Sequence, residues 1–172
     1  VAMKIALVLG LGLGLLSTAA AAVGYSGEDS SPNVFTSPVS AIVDEYNRSE
    51  DPNLQDVILL RCAAVQFTKQ NLMEQQGRFS QNDIQTMHLV GDFFYSRLVH
   101  RRIQGVGPEN IAGQIIIINA VSDLINQNMA VYNNHITQAG GDIINEPMVS
   151  GDSRYCYTLM ESMQKYIRPT LF

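Results

Sequence analysis

Ile111, Ile115, Ile118, Ser122, Ile125, Met129, Tyr132 and Ile136 step along the chain by four and three in strict alternation. Seven of these eight positions are apolar. Such spacing lines up on one stripe of an α-helix, whereas a strand repeats every second residue. The four β-branched residues Ile115 to Ile118 favour a strand locally. The sustained seam overrides them and demands a long helix, opened near Pro108 and closed by Gly140 and Gly141.

The other elements follow from cap and period signals. Ser37 with Pro38 in the first helical position predicts a short helix to about Arg48, with Val39, Ile42, Val43 and Tyr46 on its buried face. Asp51-Pro52 opens a second helix that runs to about Gln76, with Gly77 as its stop. Its middle, Val57 to Phe67, is apolar nearly all round and is broken by Arg61 and Gln66. A helix of that kind belongs at the centre of a molecule. Ser80, with Asp83 three residues on, starts a third helix ending around Ile103, with Ile84, Met87, Gly91, Phe94 and Leu98 as its inner stripe. A last helix is predicted from Asp152 or Ser153 to Pro169, with Cys156, Leu159, Met160, Met163 and Ile167 on one face.

Cys62 and Cys156 are the chain's two cysteines, and each falls on the inward stripe of its helix. Two inward thiols on different helices suit a structural disulfide. They form no Cys-x-x-Cys motif, and Arg61 beside Cys62 is a weak activator of a reactive thiol.

The N-terminal residues set the expected compartment. Lys4, then the apolar run Ile5 to Leu16, then small residues ending at Ala22, give the order of a cleavable signal peptide over residues 1–22. The run is too short for a permanent membrane anchor. Residues 23–36, rich in Gly, Ser, Asp and Pro, read as a flexible lead, and residues 37–172 as a single helical domain. The expected fold is all-α, a small bundle of four to five helices with one inter-helix disulfide, preceded by the signal peptide. The expected location is exported, periplasmic or secreted, where thiols oxidise. Asn47-Arg48-Ser49 is a glycosylation sequon that matters only in a eukaryotic host.

The formal charge of the whole chain is −5. An acidic domain is repelled by phosphate backbones, so nucleic acid is not an expected partner. The basic cluster Arg97, His100, Arg101 and Arg102 sits where the third helix ends and reads as complementing its dipole, with an anion-binding patch as the alternative.

No motif specifies a reaction. His88, Asp92 and Tyr95 share a face at i, i+4 and i+7, where an Asp can orient a His base. Gln81, Gln85 and Ser96 flank them, so the face reads as solvated, with a polar site as the alternative. The histidines stand alone, which supplies no metal-ligand spacing, and no cofactor is expected. Gly105, Gly107 and Pro108 lack the lysine and hydroxyl of a phosphate loop. The outer side of the long helix carries Asn119, Asn126, Gln127, Asn128, Asn133 and Asn134, an uncharged amide face that reads as ordinary polar exterior, with a contact surface for a protein as the alternative. The expectation is therefore a non-enzymatic domain that binds a protein partner. Two alternatives stand beside it, a carrier of a small apolar ligand between Met-lined helices and an enzyme of unspecified type.

Overall fold

The computed structural model describes residues 36–167, with side chains for residues 36–165. The expected signal peptide, nearly all of the lead and Pro169 lie outside the described residues. Five helices are described: α1 Val39–Ser49, α2 Pro52–Gln76, α3 Gln81–Ile103, α4 Ile111–Gln138 and α5 Pro147–Ile167. No strand occurs among the described residues. The bundle is all-helical, and a disulfide joins Cys62 of α2 to Cys156 of α5 across a Cα–Cα distance of 5.5 Å.

α2 is the central element and touches each of the other four helices. Its bounds follow from local chemistry. The Asp51 carboxylate accepts the Asn53 N–H at 2.8 Å, and Pro52, which has no N–H to satisfy, stands in the first turn. Gly77 ends the helix at φ 61°, the left-handed conformation that costs glycine least. From Arg61 to Gln66 every residue is buried, so this stretch has no solvent side. α3 lies along α2, and Gly91 makes the close approach possible. A Cβ at that position would come within 2.6 Å of the Phe67 ring. The basic end of α3 does more than meet a helix dipole. Arg101 and Arg102 each donate to a different oxygen of Asp56 on α2, at 2.9 and 2.6 Å.

Three helix starts differ from the sequence reading. α1 has Pro38 as its cap residue and receives no side-chain cap from Ser37. α4 starts at Ile111, just after the expected Pro108, because Asn110 accepts the Gly113 N–H at 2.9 Å and serves as its cap. α5 opens at Pro147, well before Asp152. Glu146 Oε2 accepts the Val149 N–H at 2.6 Å, so a glutamate followed by proline makes this start. Asp152 and Ser153 are therefore interior, buried residues of α5, and neither caps it.

Candidate functional site

Asp152 is the hub of a buried polar knot that joins four helices. Its Oδ1 accepts the Val39 N–H of α1 at 2.8 Å, which supplies in trans the cap that Pro38 cannot give. Its Oδ2 accepts from the Arg61 guanidinium of α2 and from the Tyr132 hydroxyl of α4, each at 2.6 Å. Arg61 Nε also donates to the Tyr132 oxygen at 3.0 Å, and Arg61 Nη1 donates to the Ser37 carbonyl. Arg61, Tyr132 and Asp152 are each no more than 2% exposed. A buried charge of this kind is tolerable only when paired and hydrogen-bonded on most sides. Burial pushes the Tyr132 phenol above its ordinary range, with Arg61 pulling the other way. Tyr132 therefore stays a neutral donor. The knot is closed to solvent, and what it does is fix the angles of α1, α2, α4 and α5.

A second polar chain starts one residue further along α5 and leads outward. Gln66 Nε2 donates to the Ser153 carbonyl at 2.9 Å, and Ser153 Oγ donates back to Gln66 Oε1 at 3.2 Å. Lys69 Nζ then donates to Ser153 Oγ at 3.1 Å. Lys69 stands at the wall of an open cavity of about 440 Å³ bounded by α2, α3, the α4–α5 connection and α5. Arg154 stands on the same wall. Burial holds the Lys69 ammonium below its ordinary pKa, and the charge of Arg154 adds to that shift. Met73, Phe79, Met87, Ile144 and Tyr157 give the cavity a mainly apolar lining.

The residues singled out in the sequence lie elsewhere. His88 Nε2 and Asp92 Oδ2 are 3.1 Å apart, with side chains about half exposed at 48% and 49%. His88 Nδ1 lies 3.2 Å from Gln70 Oε1. Tyr95 turns away from both, and its hydroxyl lies 3.4 Å from Ser122 Oγ of α4. The structure thus joins His88 to Asp92 and leaves Tyr95 out. Asn119, Asn126 and Asn133 are all exposed on α4. Asn128 is the exception to the amide face, because it is buried and donates back to the Leu124 carbonyl at 2.9 Å.

The long seam of α4 divides in two. Ile125, Tyr132 and Ile136 are buried. Ile111 and Ile115 of the same seam are 65% and 51% exposed, and Ile116 beside them is 68% exposed. The sequence reading put Ile111 and Ile115 on one apolar stripe with Ile125 and Ile136 and gave no sign that this end of the stripe is exposed, with Ile116 beside it. The knot was also missed, although Arg61 and Gln66 in an apolar helix required buried partners.

Compared with family models, with curated proteins and with solved structures, the chain matches none. Among the described residues there is no group of three or more metal-ligating side chains, and no helix is long and apolar enough to cross a membrane. The disulfide is consistent with an oxidising, extracytoplasmic location.

Proposed function

We propose that this chain is an exported, non-enzymatic domain that binds a protein partner through the first half of α4. The observation that carries the reading is the exposure of Ile111, Ile115 and Ile116 on one end of one helix. From Ile111 to Ser122 the helix contains no charged residue. Depletion of charge around large apolar side chains is the compositional mark of an interface centre. The exposed amides Asn119 and Asn126 continue along the helix and suit a polar rim. Export is supported by the order of the N-terminal residues and by the buried disulfide.

The test is site-specific photo-crosslinking in cells of the source organism. A photoreactive residue at position 116 is expected to give one discrete heavier adduct containing a second protein. The same probe at position 133, on the far half of the helix, should give none. Adding Ile115→Asp to the position-116 probe should abolish the adduct and leave the melting curve unchanged. Absence of any adduct from position 116, or equal adducts from both positions, overturns the reading. Sedimentation of the purified protein separates a second copy of the chain from a different partner.

A further inference from the structure

The cavity between α2, α3 and α5 has a composition that a plain surface dimple does not need. We propose that it binds an amphiphilic anion, an anionic head group on an aliphatic chain, with Lys69 and Arg154 holding the head and Met73, Phe79 and Met87 lining the chain. The inference stands on its own geometry and does not depend on the partner reading for α4.

The charge distribution is the first support. The chain has more acidic than basic residues. Arg48, Arg61, Arg101 and Arg102 each hold a carboxylate. Arg78 and Arg97 lie over the rings of Phe79 and Phe93, at 5.1 and 4.4 Å. Arg78, Arg97 and the exposed Lys165 form no ion pair among the described residues, and neither do Lys69 and Arg154. What sets Lys69 and Arg154 apart is their place on one cavity wall. Two like charges side by side are unfavourable unless an anion comes between them. Asp142, next to the lining residue Ile143, does not itself line the cavity. Its carboxylate accepts from the Ile144 N–H and from the Asn145 N–H and side chain.

The second support is preorganisation. The Lys69 ammonium is positioned by the buried Ser153 hydroxyl, and Ser153 is locked in turn by Gln66. One of three ammonium protons is thereby used, and the others remain for a ligand. The lining supplies the third support. A cavity of about 440 Å³ with apolar walls and a few convergent polar groups has the dimensions and chemistry of a small-molecule site. Methionine walls adapt to a flexible chain.

The probe is octanoate, added to the oxidised protein and followed by calorimetry and by amide chemical shifts. Saturable binding is expected with a dissociation constant on the order of 0.1–1 mM. The largest shifts should fall at Lys69, Met87, Ile144 and Arg154. Octan-1-ol, which has the chain without the charge, should bind about tenfold more weakly. Arg154→Gln, at an exposed position, should weaken octanoate about fivefold without changing the melt, and Lys69→Gln with Arg154→Gln should weaken it further. Equal affinity for octanoate and octan-1-ol overturns the proposal, as does an unchanged constant in Arg154→Gln. Shifts confined to Ile111, Ile115 and Ile116 would also overturn it, because they would report adsorption to the apolar end of α4 and say nothing against that surface.

Discussion

The two halves of α4 have the same apolar period and opposite surroundings. In the second half Ile125, Tyr132 and Ile136 are buried, and Tyr132 reaches the Arg61–Asp152 pair. In the first half Ile111 and Ile115 occupy the same seam and face solvent. Periodicity reports that a helix has an apolar side. It carries no information about which element covers that side, because the covering residues come from distant parts of the chain. The helix packs against α2, α3 and α5, yet that packing leaves half or more of Ile111 and Ile115 exposed.

The largest effect should come from breaking the knot that anchors the second half. Arg61→Met leaves Asp152 buried without its counter-ion, and loss of one partner of a buried pair costs about 3–5 kcal/mol. Urea melts of the oxidised protein measure this. Arg61→Met combined with Asp152→Leu removes both charges and should recover most of the loss. A double variant as unstable as the single one would mean that the knot's value lies in its contacts to Val39 and Tyr132.

How much of this was legible in the sequence depended on the range of the interactions. The bounds of α2 are set by Asp51, Pro52 and Gly77, all within a turn of the ends they define, and the sequence reading placed them where the structure does. The disulfide was readable because two cysteines allow one pairing and both fall on inward stripes. The start of α5 was misplaced because Glu146 is an uncommon cap, while Asp152 and Ser153 are residue types that often cap. Pro147 was the signal that would have corrected it. Asp152 bonds to Arg61, 91 positions away, and Lys69 to Ser153, 84 positions away. No local pattern encodes such pairs, so the knot and the cavity emerged only with the fold.

Packing in the second half should give the next effect. Ile136→Ala and Ile125→Ala each remove buried methylene groups and should cost about 2–5 kcal/mol, read as a shift in the urea midpoint. Cys156→Ser tests the other tie between α5 and the centre. It should cost about 2–4 kcal/mol in oxidised material and almost nothing against a reduced parent. Paired melts with and without reductant check this, and a thiol count on the unfolded parent should find none free.

The smallest expected effect is the one that sharpens the comparison most. Ile115→Ala and Ile116→Ala make the same chemical change on the same helix as Ile125→Ala, at positions 51% and 68% exposed. Little apolar area returns to water, so the transfer and cavity costs nearly vanish. Alanine is also the better helix former by a few tenths of a kcal/mol, which offsets what remains. Each variant should stay within about 0.5 kcal/mol of the parent. Melts over a range of protein concentrations complete the measurement, because a surface covered by a second copy would make the parent's midpoint rise with concentration. A cost at Ile116 equal to that at Ile136, independent of concentration, would place a covering segment of this chain over the first half of α4 and end the contrast between the halves.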